Sequence, residues 1–392
     1  MLGIMLQKMW QKKWMNLSIL LGCILFVATA VSFPLYQKAS YDRMLQDEFD
    51  NYILTKGNYP MIVKMFATCQ KDKKNTIGKM DDFTSEIYKE LGVKENMTVR
   101  SYSILKSPVS SDIKRDDVDQ LTLSLGAMSG LEEHAKLING RFYSESGTDE
   151  NGAIEVIVSQ ATMVERGLLL DETLTFDKLK TADGGPIRIH VVGVYTGSSV
   201  EDLYFQEDPE KKFDSVMMNS DLFQSMFTGG NASKYTIAVA FYDFIDYESV
   251  TADMIERINE RTDYLVKQSA YKSVLREPAY KSILEEYALK KIRITATLTI
   301  LQVPVLILLA AFLLMISGQM YEMERNEISV IKSRGSSRAQ ILRLYLYQGL
   351  TLVFFGALFG IPLGTFFARL LSSTRNFLEF DMKRPVDISF DR

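Results

Sequence analysis

A histidine set among cysteines or carboxylates is the common mark of a metal centre or a general base. This chain of 392 residues has only two histidines, His134 and His190. They stand far apart, and neither has the cysteine or carboxylate spacing of a zinc site. His190 falls in a strand-like segment and reads as an ordinary surface or packed residue. The sequence contains no G-x-S-x-G nucleophile elbow and no G-x-x-x-x-G-K-[ST] loop to cradle ATP phosphates. Acidic side chains are plentiful, but no pair is marked as catalytic. The chain is therefore not expected to be an enzyme, and no catalytic, cofactor-binding or metal-binding residue is assigned. If it does work, the energy comes from a partner.

The segment with the most pointed composition is short and charged: Tyr321 to Arg343, interrupted by one glycine. Glu327 to Ser333 predicts about two helical turns. Gly335 suits a positive φ that ends them, and Ser336 or Ser337 suits the cap of a second helix running to Arg343. The expected product is a helix–turn–helix lying against a membrane, with Ile328 and Ile331 on one face.

That expectation depends on the elements either side. Net charge is only −4 and 47% of residues are hydrophobic, averages that suit a soluble protein. The apolar residues are unevenly spread, however. Trp14 to Gln37, Ile294 to Tyr321 and Leu344 to Ala368 contain no charged side chain. Each exceeds the roughly 20 residues that cross a bilayer as a helix. The predicted spans are 15–36, 294–320 and 344–371, bounded by an N-terminus at 1–14, a large domain at 37–293, a loop at 321–343 and a tail at 372–392. None of the spans carries a central charge, which disfavours an ion- or proton-coupled relay.

Flanking charge sets the expected orientation. Lys8, Lys12 and Lys13 precede the first span without nearby acid, placing the N-terminus in the cytoplasm, and Trp10 and Trp14 fit the interfacial belt. The loop bearing Arg325, Lys332, Arg334, Arg338 and Arg343 then also faces the cytoplasm, and the large domain lies outside. Arg375, Lys383, Arg384 and Arg392 in the tail oppose this weakly. Leu20-Leu21-Gly22-Cys23 resembles a lipoprotein signal, but the apolar run continues to Leu35, which favours an uncleaved helix. Cys69 is the other cysteine, so no disulfide framework is expected.

The outer region reads as an α+β domain. Period-two alternation marks strands at Ala153–Ser159, Ile187–Tyr195 and Tyr235–Phe241. Asp183-Gly184-Gly185-Pro186 and Asn139-Gly140 signal turns. Tyr41 to Tyr88 reads as mostly helical, with a solvated charged stretch at Gln70 to Asn75. Tyr280, Ile283, Leu284, Tyr287 and Ala288 form a helical stripe, and no Gly or Pro separates it from the second span. A continuous helix there is either a rod able to carry movement across the interface or a support for the domain.

In the charged loop, Glu327-Ile328, Ile331-Lys332, Gly335-Ser336-Ser337 and Gln340-Ile341 resemble the cytoplasmic motif of the FtsX-like permeases of ABC transporters, the group that includes MacB-type exporters. Lys332-Ser333-Arg334-Gly335 is similar to the form in larger, ten-helix members, whose N-terminal half this chain resembles. Leu131-Glu132-Glu133-His134, Gly140-Arg141-Phe142 and Val191-Val192-Gly193-Val194-Tyr195 look like the family's outer-domain signatures.

The resemblance implies a membrane α-helical protein with a large extracellular α+β domain of the MacB periplasmic-core type, working in a type VII system in the bacterial cell membrane. A separate ABC ATPase dimer would bind ATP and grip the coupling segment, with no cofactor in this chain. Motion would pass by mechanotransmission through stalks at Tyr36 to Phe49 and Tyr280 to Arg293. The ATPase-coupling residues would be Glu327, Ile328, Ile331, Lys332, Arg334, Gly335, Ser336, Arg338, Gln340 and Ile341. Arg334 and Arg338 would pair with acidic groups and Gly335 would set the bend.

Family members carry a fourth helix. The tail Phe377 to Asp391 resembles the linker leading to it, so a second permease half is an expected partner, together with membrane lipid and no nucleic acid. The implied function is export or extraction of a hydrophobic or amphipathic substrate such as a peptide antibiotic, lipoprotein or lipid. The alternative is a non-transport regulator whose outer domain activates a cell-wall hydrolase or senses an antibiotic.

Overall fold

The computed structural model describes residues 12–70, 75–113, 121–181, 184–197, 202–206, 214–228, 235–268, 274–333, 335–372, 374–376 and 379–380. In chain order the elements are α1 (Lys13–Lys56), β1 (Ile62–Gln70), α2 (Thr76–Leu91), β2 (Glu95–Ile104), β3 (Ser107–Ser111), β4 (Thr122–Met128), α3 (Leu131–His134), β5 (Ala135–Gly140), β6 (Ile154–Ser159), α4 (Gln160–Arg166), β7 (Thr173–Lys180) and β8 (Pro186–Gly197). There follow β9 (Ser215–Met218), α5 (Ser220–Phe227), β10 (Thr236–Ile245), α6 (Ile255–Lys267), α7 (Tyr280–Ser333), α8 (Arg338–Ser372), β11 (Thr374–Asn376) and β12 (Glu379–Phe380). The chain divides into one unit of Met1–Asp47 with Glu285–Arg392 and another of Glu48–Leu284. The long helices α1 and α7 contribute residues to both units.

The first unit is helical. Among the described residues α1, α7 and α8 are the helices long and apolar enough to cross a membrane. Each contains a proline, Pro34, Pro304 and Pro362 respectively, as spanning helices tolerate. What joins α8 to α1 is the removal of side chains. The buried residues of α8 are Gln348, Leu352, Gly356, Gly360, Gly364, Ala368 and Ser372, one every fourth position. A Cβ placed on Gly356 would come within 2.7 Å of the Cys23 Cβ, and one on Gly360 within 2.8 Å of the Val27 Cβ. At Gly364 the obstacle is backbone, the Ala28 carbonyl at 2.7 Å. Small residues at this spacing let two helix backbones approach closely and gain dispersion contact where no hydrophobic effect is available.

Direction follows from the same contacts. Gln348 donates from Nε2 to Asn16 Oδ1 at 3.2 Å, and Arg43 donates to the Ser372 carbonyl, so partners ascend together and α8 runs parallel to α1. Against α7 they descend. Lys12 Nζ lies 3.6 Å from Glu324 Oε1, a Cβ on Gly22 would meet Leu313, and Tyr41 hydrogen-bonds Thr295. Thus α7 is antiparallel to α1, and the α7–α8 turn lies at the same end of this unit as the start of α1. The remaining faces are apolar and outward, with Ile300 72% and Leu308 69% exposed.

The second unit is built on a ten-stranded sheet in the order β1-β10-β2-β4-β3-β7-β8-β6-β9, with β5 paired to β8. Because β9 also pairs in parallel with β4, the six strands β4-β3-β7-β8-β6-β9 close on themselves. Strands β2, β10 and β1 extend from β4 as an antiparallel arm. Helix α2 covers the arm with Ile77, Met80, Phe83, Ile87 and Leu91, and α6 presents Ile255, Ile258 and Leu265, both at helical spacing. Strand β6 is buried at every position and not in alternation, since α4 packs on β6 and β8. Covering both faces of a strand removes the polar face.

Two local expectations differ from the structure. Tyr41 to Tyr88 is not mostly helical, because β1 separates α1 from α2. Ile62, Val63, Met65 and Phe66 take the strand conformation by pairing in full register with β10, a partner some 170 positions away. Asn139-Gly140 is not a free turn; it ends β5 across a register shift against β8, with Gly140 at φ +76°. The Asp183–Pro186 signal does feed β8, with Gly184 at φ +89° and its N–H donating to Thr181 O at 3.1 Å, while Asp183 itself lies outside the described residues. Most of the charged stretch from Gln70 to Asn75 is likewise outside them.

Arg141, just after β5, is tied to Glu155 of β6. The Glu155 carboxylate, almost fully buried, accepts from both terminal nitrogens of Arg141, one at 3.1 Å, and from the Ser144 N–H at 2.6 Å. The Arg141 hydrogen bonds are the main cause that lowers its pKa to about 2, against the opposing effect of burial. Neither Gly140 nor Gly193 has room for a side chain where Arg141 meets β8.

In the arm, Asp243 of β10 is completely buried and accepts from Thr84 at 3.4 Å and Thr98 at 3.3 Å. Loss of solvation outweighs these bonds and raises its pKa to about 7. The folded protein therefore holds this proton more tightly than the unfolded chain, so the contribution of Asp243 to stability is greatest below about pH 4 and falls as pH rises from about 4 to 7. The expected cost over that window is on the order of 4 kcal/mol, levelling off above pH 7. Thermal unfolding of the full chain in detergent, followed against pH, should show this slope. Asp243→Asn should flatten it; an unchanged slope would disprove the assignment.

Candidate functional site

The charged segment does not form a separate helix–turn–helix. No Gly or Pro interrupts Tyr321 to Ser333, and residues such as Glu322, Met323, Glu324 and Arg325 are good helix formers, so α7 simply runs on to Ser333. In the same way, the second helix is the start of α8 and does not stop at Arg343. The site is a tight turn between two spanning helices.

Each side of the turn is closed by its own device. Gly335 has φ +88°, its N–H donates to Lys332 O at 3.1 Å, and the Ser336 N–H donates to Ile331 O at 3.4 Å. This is a Schellman motif, with glycine at the left-handed position and the last carbonyls of α7 satisfied. On the other side the Ser337 N–H donates to Gln340 Oε1 at 3.0 Å, and the Gln340 N–H donates to Ser337 Oγ at 3.3 Å. That reciprocal pair is a capping box, and it makes Ser337, not Ser336, the cap of α8. Gly335 and Gln340 thus build the turn itself.

Other predicted site residues fall in two places. Glu327 lies 2.7 Å from Lys12 Nζ, which also faces Glu324. Ile328, Lys332, Arg338 and Ile341 line a groove of about 620 Å³ shared with Ile19 of α1 and with Leu352 of α8. Ile331 and Ser336 are half-buried beside the turn. Arg334 lies outside the described residues, as do Lys8, Trp10 and most of the tail from Phe377 to Asp391. No pairing of Arg334 or Arg338 with an acidic group is described.

The residues missed in the sequence are Lys12, Asn16, Glu324 and Gln348. Together they make a polar clamp in which Lys12 holds two carboxylates and Asn16 accepts from Gln348. Glu324 is only 1% exposed, and Gln348 4%. Two signals were available. Gln348 is a polar side chain inside an apolar window, and Glu324 stands four residues before Ile328, on the same face of α7.

The two histidines lie apart, each beside a carboxylate. His134 Nδ1 is 2.9 Å from Asp202 Oδ2, with its ring stacked on Tyr204 at 4.1 Å. His190 Nδ1 is 3.4 Å from Asp149 Oδ2. Among the described residues no group of three or more metal-ligating side chains converges.

Comparison with known proteins gives the following. The FtsX-like permease C-terminal family matches residues 299–391, which include most of α7, the turn and all of α8. No curated protein matches the chain. Among solved structures, the periplasmic region of MacB from Actinobacillus actinomycetemcomitans is similar at 14% identity and a TM-score of 0.34, over 61% of this chain and 98% of that one. A domain of a permease protein from Porphyromonas gingivalis is similar at 13% identity and a TM-score of 0.30, over 56% of this chain and 90% of that one. The extracellular domain of the ABC-type transporter YknZ from Gram-positive bacteria is similar at 13% identity and a TM-score of 0.29, over 55% and 98%.

Proposed function

We propose that this chain, whose residues 299–391 match the FtsX-like permease C-terminal family, is the permease subunit of an ABC transporter working by mechanotransmission. In this reading the start of α1 and the α7–α8 turn face the cytoplasm, where an ATPase dimer grips the turn. The sheet domain stands outside and acts on a hydrophobic or amphipathic substrate. A second permease half covers part of the outward apolar surface.

The observation that carries this reading is α7. It runs as one helix for 54 residues, from Tyr280 among the packed residues of the sheet unit to Ser333 at the turn. At about 1.5 Å per residue that is a rod of roughly 80 Å. Tyr280 is 1% exposed and Leu284 fully buried, so its upper end is anchored. The Thr262 and Tyr280 hydroxyls, 2.8 Å apart, add a buried hydrogen bond there. A continuous helix that is anchored among packed residues at one end and closed by a double-capped turn at the other supports the passage of motion along its backbone.

Co-purification from native membranes, with mass spectrometry and an ATPase assay of the eluate, tests the proposal. Recovery of a P-loop ATPase, released by Ile331→Asp at the turn, is the expected result. Recovery of the chain alone in mild detergent would overturn it.

A further inference from the structure

The groove beside the turn has a composition that a coupling contact alone does not account for. Its walls are apolar, from Ile19, Ile328, Ile341 and Leu352. Two cations, Lys332 at the end of α7 and Arg338 at the start of α8, stand on it from opposite sides of the turn. Both are exposed, and among the described residues neither takes part in an ion pair. The acidic residue that also lines the groove, Glu324, is 1% exposed and faces Lys12, which it shares with Glu327, so the two exposed cations outnumber it at the groove. The groove lies at the ends of the apolar windows of α7 and α8, where a bilayer crossed by those helices would have its headgroup boundary.

We propose that this groove binds an anionic phospholipid, its phosphate between Lys332 and Arg338 and an acyl chain along the apolar wall. Basic pockets between spanning helices recognise anionic headgroups in this way, since a cation near the surface attracts the lipid charge and an apolar cleft shelters the chain. A zwitterionic lipid brings no net charge to the two cations, so it gains only the apolar contact. The inference rests on the spanning helices and not on the ATPase reading.

The test uses the full chain in nanodiscs of phosphatidylcholine with increasing phosphatidylglycerol, reading retained lipid by native mass spectrometry. Phosphatidylglycerol should be retained preferentially. Lys332→Ala and Arg338→Ala should each weaken that retention by roughly fivefold. Arg325→Ala, exposed on the same helix but off the groove, should leave it unchanged. Equal retention of both lipids, or indifference to Lys332 and Arg338, would overturn the proposal and leave ordinary annular lipid. Exclusion of both lipids with conversion to a dimer would also overturn it, assigning the groove to a second copy. A photoactivatable phosphatidylglycerol on the unmodified chain guards against unstable variants. Adducts concentrated between Ile328 and Leu352 support the site, and adducts spread over all apolar faces refute it.

Discussion

Gly360→Leu is expected to abolish stable assembly of the helical unit. The new Cβ alone would sit 2.8 Å from Val27 Cβ and 3.0 Å from the Ile24 carbonyl, and the rest of the side chain has nowhere to go. Overpacking a close interior contact costs about 1–3 kcal/mol, and here the obstruction includes backbone, so the upper end applies. The loss is compounded because helix association in lipid relies on that close approach. Thermal unfolding of the full chain in detergent should show a large drop in midpoint, with poor membrane yield. Gly318→Leu on α7, where no atom lies within 4 Å, is the matched control and should be neutral. If both variants behave alike, the α1–α8 seam is not what holds the unit together.

The second large effect is expected at Arg141→Ala. The substitution removes a side chain that is itself half exposed, yet its partner Glu155 is only 3% exposed. What remains is a buried carboxylate with the Ser144 N–H as a surviving donor. Breaking such a pair costs about 3 kcal/mol, most of it the uncompensated charge and not the lost attraction. Glu155→Gln in the Arg141→Ala background should recover part of the loss, so a double-mutant cycle measures the coupling. The wild-type contribution has a defined pH signature. Because Glu155 is depressed to about 2, its stabilisation is complete above the ordinary glutamate value and disappears as pH falls through 2. In Arg141→Ala the acid-induced loss should shrink. A variant with the wild-type profile would show that Arg141 does not hold this charge.

The membrane half of this fold was legible because lipid imposes one simple rule, a run of uncharged residues long enough to span. The helical stripe from Tyr280 to Ala288 pointed to a helix leading into the second span, since nothing in its sequence breaks it. Strand β1 was not legible. Its Phe66 falls on the same face as Lys64 and Thr68 and blurs the alternation, and its conformation is dictated by β10, which no local pattern discloses. At the turn, residue types foretold Gly335 and a serine cap, but not which serine, because the choice depends on the Gln340 reciprocal bond. The Gly356-Gly360-Gly364 spacing was visible in the sequence and passed over; its meaning becomes plain only beside Cys23, Val27 and Ala28. The clamp of Lys12 and Glu324 joins residues more than 300 positions apart, which periodicity cannot supply.

The four-residue spacing of the α8 seam has a kinematic consequence. Four residues carry an α-helix about 6 Å forward and about 40° past a full turn. The line from Gln348 to Ser372 is therefore a thread wound around α8, not a straight rail. A helix that keeps its glycines against α1 while advancing by one notch has to rotate as it travels. Thrust delivered at the turn would emerge at the far end of α8 as torque.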